Sequence, residues 1–201
     1  MEPFVIGIVG KQASGKGTIT GLIKEITARE RKNLIINQAR FSDAPREQLT
    51  KRGVPHTREN LQKEVRDMEK CGIEKGEGPG SLSREIEKRI RTKIEAHIVI
   101  VDGVRWLTDE AMIRSFTRNA VVYVYAHEHV RYFRLLKRRE NEGDEIKSFA
   151  QFLEEDSAPN EQFIDEIGAR ANLMIQNEST IDRIEEHVYR FLCGTVFPVF
   201  E

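Results

Sequence analysis

The stretch Gly10-Lys11-Gln12-Ala13-Ser14-Gly15-Lys16-Gly17-Thr18 is the part of this chain best suited to hold a charged ligand. Two glycines bracket four residues, and a lysine follows the second glycine. Such spacing lets the backbone turn tightly, so that successive N–H groups converge on phosphate oxygens. Lys16 adds a point charge for the outer phosphates. Gly10, Ala13, Ser14, Gly15, Lys16, Gly17 and Thr18 are therefore the candidate nucleotide-binding residues, and ATP is the expected ligand. The strict pattern places Ser or Thr directly after the lysine; here Gly17 intervenes and Thr18 comes next. With no hydroxyl at position 17, a Mg2+ ion would be held largely through water, the nucleotide and a carboxylate.

Phosphoryl transfer needs two substrates held in line and charge stabilisation of the moving group, with little covalent help. Carboxylates at strand ends and convergent arginines are thus the residues to seek. Asp102 follows the apolar run His97-Ile98-Val99-Ile100-Val101 and is the candidate catalytic and metal-holding carboxylate; a turn-forming Asp before Gly103 is the alternative. Arg105, three residues on, is placed to bind an anionic acceptor. Asp43 and Arg46 lie past the second apolar run. Asp43 either accepts the acceptor's proton or caps a helix with Pro45 in its first turn. Arg58 is either a second-tier acceptor contact or, as the spacing favours, part of a solvated helix face. Arg131, Arg134, Lys137, Arg138 and Arg139 form the densest basic cluster, in which Arg131, Arg134 and Arg138 share a helical face. They either close over the triphosphate or form a surface helix, and Arg138 is the candidate catalytic arginine.

These residues need a frame. Apolar runs at 4–9, 33–37, 98–101, 121–125 and 173–176 read as strands. Helical spacing covers 16–31, 44–52, 57–71, a segment from Ser81 or Ser83 to 95, 108–118, 127–139, 158–170 and 179–192. Four glycines and a proline make 72–80 a loop. The stretch 140–160 is charged and weakly periodic, and Ser179-Thr180-Ile181-Asp182 matches a capping box. Alternating strands and helices imply one α/β domain over 1–201, a five-stranded parallel sheet with helices on both faces. The segment 40–95 is the candidate acceptor-binding insert, and about 127–165 the lid.

Lysine plus arginine number 32 against 33 acidic residues, so wholesale nucleic-acid or membrane binding is not expected. Cys71 and Cys193 are far apart, which argues against a zinc site or disulfide framework. The N-terminus is neither a signal peptide nor a membrane span, and the expected setting is the cytosol. The expected partner is a nucleotide-type small molecule, with the chain a monomer or homodimer.

Gly15-Lys16-Gly17-Thr18 after the Gly-rich opening resembles the nucleoside monophosphate kinases, adenylate kinase among them, in which the intervening glycine is normal. The likeness extends to a group of small, mostly archaeal proteins related to adenylate kinase and dephospho-CoA kinase. It is carried also by Thr-Arg-Glu-Asn-Leu-Gln (57–62), Gly-Pro-Gly-Ser-Leu (78–82), Val-Ile-Val-Asp-Gly-Val-Arg (99–105) and Ala-Asn-Leu-Met-Ile-Gln-Asn-Glu (171–178). The resemblance implies strand order 2-3-1-4-5, a grip by Arg46 on an acceptor monophosphate, and Asp43 as candidate base toward a sugar hydroxyl. It also implies a lid after the fourth strand and a nucleotide base near Asn177. The Asp102–Arg105 segment is one residue shorter than its adenylate kinase counterpart and lacks the proline. Where the group carries an Arg-Asp pair in the lid, this chain has Glu155-Asp156; Arg138, Arg139 or Arg170 would have to replace the missing arginine.

Overall fold

The computed structural model describes residues 2–74, 80–138, 146–159 and 161–201. Five parallel strands form one sheet in the order β2-β3-β1-β4-β5: β1 (Phe4–Val9), β2 (Ile36–Arg40), β3 (Ile98–Val104), β4 (Asn119–Tyr125) and β5 (Leu173–Gln176). β1 lies in the middle and is buried along its whole length, because both of its faces meet helices. On one face Phe4, Ile6 and Ile8 pack with Ile98, Ile100 and Val122 under α1 (Lys16–Glu30) and α9 (Ile181–Phe191). On the other, Val5, Val9, Val99, Val101 and Val121 pack under α4 (Ser81–Lys93), α5 (Leu107–Arg114) and α8 (Ile164–Ala169). The result is the expected three-layer α/β/α sandwich.

Three elements differ from expectation. The second strand starts at Ile36 rather than at 33, because its pairing with β3 begins there; Ile35 stays 55% exposed. β2 is an edge strand, so polar Asn37, Gln38 and Arg40 are tolerated in it and the apolar run misplaced it. β3 runs on to Val104 through a bulge: Ile8 pairs with Asp102 but Val9 pairs with Val104, leaving Gly103 as the extra residue at φ 92°. The helix expected over 158–170 is only α8, while α7 (Phe149–Asp156) forms inside the stretch read as charged and weakly periodic. Its N-terminus is set by a reciprocal cap between Ser148 and Gln151.

Helix starts also differ. α9 is capped by Thr180 without a side-chain bond, so the expected box at 179–182 does not form. α4 is capped by neither Ser81 nor Ser83. Instead Glu69, on α3 (Arg58–Glu74), accepts the N–H groups of Gly80 (2.8 Å), Ser81 (3.1 Å) and Leu82 (3.1 Å). A carboxylate from one helix thereby satisfies the open donors of the next. α2 (Asp43–Lys51) packs on α3, and α3 on α4, across the connection from β2 to β3. α4 itself is a core helix, with Leu82, Ile86 and Ile90 buried against the sheet. Residues 75–79 of the expected loop lie outside the described residues.

After α9 the chain makes a π turn over Leu192–Val196 and a 3-10 turn over Phe197–Phe200, burying Val196 and Phe197 in the α1/α9 core. Cys193 is exposed and free. Among the described residues, no helix is long and apolar enough to cross a membrane, and no group of three or more His, Cys, Asp or Glu side chains is arranged to hold a metal.

Candidate active site

β1 ends at Val9 and the chain turns at once into the glycine-bracketed loop. Gly10 and Gly15 are required by contact as well as by backbone. A Cβ at Gly10 would lie 2.4 Å from the Val124 carbonyl oxygen, and one at Gly15 would lie 1.8 Å from Asn177 Nδ2. Gly15 is the N-cap of α1 at φ 99°, with no side-chain cap and no acidic residue in the first turn. The helix therefore presents uncapped N–H groups and its positive end to the loop. Lys16 Nζ donates to the carbonyls of Gly10 (2.6 Å) and Lys11 (2.9 Å), lying across the loop where the phosphates of a nucleotide would draw it outward.

One face of α6 (Glu128–Arg138) lies along this loop. Arg131 Nη1 donates to Gln12 O (3.3 Å), and Arg134 Nη1 to Ser14 O (3.4 Å). Arg138 is near enough to act on Lys16. The 131, 134, 138 spacing follows the helical repeat, and the first two of these residues meet loop positions 12 and 14 in turn. Arg131 is only 4% exposed and is also held by Ala126 O (2.9 Å) and, bidentately, by Asp156 of α7 (2.5 and 2.7 Å). Lys11 is paired with Asp156 (3.6 Å) and with Asp165 (3.4 Å), and Asp165 in turn accepts the Tyr123 hydroxyl (2.7 Å). Arg131 and Arg134 thus brace the loop from outside. The exposed Arg138 is the member of the trio at the Lys16 end.

Across the loop stands the end of β3. Asp102 Oδ1 is buried and has no hydrogen-bond partner. Arg105, one residue past β3, pairs with Glu161 (3.0 Å), whose side chain is 1% exposed. Burial, together with the Arg105 guanidinium, lowers the Lys16 ammonium to about 8; Asp102 and Glu161 oppose that shift and Arg138 adds to it. Lys16, Asp102, Arg105, Glu161 and Arg138 are therefore one electrostatic group at the carboxyl end of the sheet, where ligands bind in open parallel sheets. Asp109 anchors the Arg105 loop from behind. It accepts the N–H groups of Arg105 and Trp106 (2.9 Å each) and the hydroxyl of Ser83 (2.7 Å), and burial pushes its carboxyl up to about 6.

Asp43 and Arg46 follow the end of β2, the strand whose Arg40 stands in register with Asp102. Asp43 Oδ2 accepts the Arg40 N–H (3.0 Å), tying the end of β2 to the first turn of α2. Both residues line a groove of about 480 Å³ with Glu47, Thr50, Lys51 and Arg89, and no residue of the phosphate loop lines it. The side chain of Arg58 and all of Arg139 lie outside the described residues. Arg170 is bound to Glu110 (2.7 Å) and Glu166 (2.9 Å) at the α5/α8 contact, so it does not stand in for a lid arginine. Glu155 pairs with Lys147 (2.9 Å) on the same helix that presents Asp156 to Arg131.

One site residue escaped the sequence, and the contact of a second, named only by resemblance, was not foreseen. Glu161 is an unremarkable acid in a charged stretch, and only folding pairs it with Arg105. Asn177 lies against the loop backbone, with Nδ2 donating to Ser14 O (2.8 Å). The close approach at Gly15 is the trace of that contact, and it is visible only in three dimensions.

No family model matches the chain. Over 189 residues it is 27% identical to a UPF0200 protein of Pyrococcus abyssi, covering 92% of this chain and 93% of that protein. It is 29% identical over 193 residues to a UPF0200 protein of Pyrococcus furiosus, covering 94% and 96%. These archaeal relatives accord with the resemblance drawn from the motifs. Among solved structures, shikimate kinase from Bacteroides thetaiotaomicron superposes with a TM-score of 0.55 at 14% identity, over 95% of this chain and 97% of that one. A gluconokinase from Sinorhizobium meliloti gives 0.53 at 13% identity, over 99% and 97%. Likeness at this level establishes the fold, which is that of the P-loop kinases.

Proposed function

We propose that the protein transfers the γ-phosphate of ATP, with Mg2+, to a small nucleotide-type acceptor, a nucleoside or deoxynucleoside monophosphate first. One observation carries this reading: β1 runs into the glycine-bracketed loop and the uncapped start of α1, and Asp102, in register with Ile8 at the end of β3, has a buried and unpartnered Oδ1. A loop that only bound nucleotide would need the lysine and the backbone cradle. Cations and a carboxylate gathered on its open side are what a transferring phosphoryl group requires.

The roles follow from placement. The N–H groups of Ala13 to Thr18 and the end of α1 hold the phosphates. Lys16 swings from the Gly10 and Lys11 carbonyls to the outer phosphates, and Arg138 offsets charge on the moving group. The unpartnered Oδ1 of Asp102 fits a metal ion or its water. An Mg2+ ion held there would supply positive charge to offset that of the phosphates. Arg105, Asp43 and Arg46 would receive the acceptor, and Asp43 is the base where the acceptor is a hydroxyl.

A second reading has its own support. Arg105 is already countered by buried Glu161, which weakens it as a grip for a phosphate and favours a hydroxyl acceptor such as the ribose of dephospho-CoA. The test is ATP and Mg2+ with a panel of nucleoside monophosphates, dephospho-CoA, shikimate and gluconate, scored as acceptor-dependent ADP release. Release with a nucleoside monophosphate supports the first reading, and release with dephospho-CoA alone supports the second. Steady ADP release that no acceptor accelerates would replace both with a regulatory ATPase. Lys16→Ala should abolish whichever turnover is found while leaving the folded signal intact.

A further inference from the structure

Asn177 is a buried polar residue, 6% exposed, that the proposed transfer does not use. It is the first residue past β5, and its side chain and its carbonyl both lead to the phosphate loop or its braces. Its N–H donates to Tyr125 O (2.7 Å), its carbonyl accepts Arg134 Nη2 (2.7 Å), and its side-chain Nδ2 donates to Ser14 O (2.8 Å). The same Ser14 carbonyl receives Arg134 Nη1 at 3.4 Å. Only the donor end of an amide can face a carbonyl, so the orientation of this side chain is set by chemistry.

Among the described residues no peptide bond is cis. A trans peptide holds its C=O and the following N–H on opposite sides of the chain. Pulling the Ser14 carbonyl toward Asn177 and Arg134 therefore turns the Gly15 N–H the other way, away from β5 and toward the side on which phosphates are cradled. We infer that Asn177, with Arg134, is a positioning residue that fixes the Ser14–Gly15 peptide in its phosphate-accepting orientation. Gly15 is the matching half of the device. Any Cβ there would displace the Asn177 amide, since the two would stand 1.8 Å apart. Fixing the peptide before the ligand arrives removes the reorganisation that an unbraced loop would undergo on binding.

The inference rests on the loop being the ATP site, and the experiment separates the two. Wild-type protein, Asn177→Ala and Asn177→Asp are titrated with ATP and with inorganic tripolyphosphate, and their melting temperatures are recorded. Asparagine and aspartate have nearly the same shape, but the carboxylate cannot donate to Ser14 O. Both variants should bind ATP at least tenfold more weakly, with the loss undiminished for tripolyphosphate and with KM for the acceptor unchanged. Wild-type protein that binds neither ligand overturns the ATP reading itself. Wild-type protein that binds both, beside an Asn177→Ala variant that binds them equally well, overturns only the positioning role. Loss confined to ATP would place the amide at the base and also overturn it. If the Asp variant does not fold, the Ala variant, which introduces no charge, decides the matter alone.

Discussion

Lys16 shows how neighbours set the working state of one residue. Its ammonium sits at about 8 in the free protein because burial and the Arg105 and Arg138 charges disfavour the cation. A triphosphate beside it favours the cation and raises that value again. Between the free and bound values, binding must take up a proton, and ATP affinity must fall as pH rises through about 8. Calorimetric titration with ATP in two buffers of different ionisation enthalpy should show net uptake of about half a proton per ATP at pH 8, rising to about three-quarters at pH 8.5. Lys16→Arg, which stays charged throughout, should show none. Gly10 to Thr18 could be read directly from the sequence because the whole cradle is contiguous. Asp102, Arg105 and Arg138 were reachable because strand ends and helical spacing limit where a side chain can go. Glu161 was not legible, and neither was the contact that Asn177 makes: it meets Ser14 across 163 residues, and no local pattern marks the meeting.

At the scale of elements, the central strands were legible and the connections less so. β1, β3 and β4 are buried on both faces, so their apolar runs are continuous. β2 lies at the edge and carries polar residues, which moved its apparent start by three positions. The short α7 was hidden because its charges serve partners outside the helix, with Asp156 turned to Arg131 and Glu155 to Lys147. The start of α4 was assigned to serines because a local cap is the usual solution. Here the cap comes from Glu69 on the preceding helix, and the Ser83 hydroxyl is turned to Asp109. Glu69→Ala should therefore destabilise the fold by about 1–2 kcal/mol, measured as a lower urea midpoint. Glu69→Gln, which keeps an acceptor, should recover part of the loss.

Across the whole molecule, the two faces of the sheet have different tasks. The α4/α5/α8 face carries the Arg105 loop and Glu161. The α1/α9 face is a plain apolar core completed by the final residues, where Phe197 is 2% exposed. Phe197→Ala should lower stability by about 3–5 kcal/mol, seen as an earlier unfolding transition, with ATP affinity of the folded protein unchanged. Layer order and strand order could be anticipated because alternating elements admit few right-handed arrangements. The closing π and 3-10 turns could not, since nothing local distinguishes a tail that packs on its own core from one that packs elsewhere. The tail also has a practical consequence. Phe200 meets His97 just before β3 begins, and Glu2 pairs with Arg91, so both chain ends gather at the amino edge of the sheet. The phosphate loop opens from the opposite edge. An affinity handle or surface tether fused at either end would therefore leave the mouth of the site turned toward bulk solution.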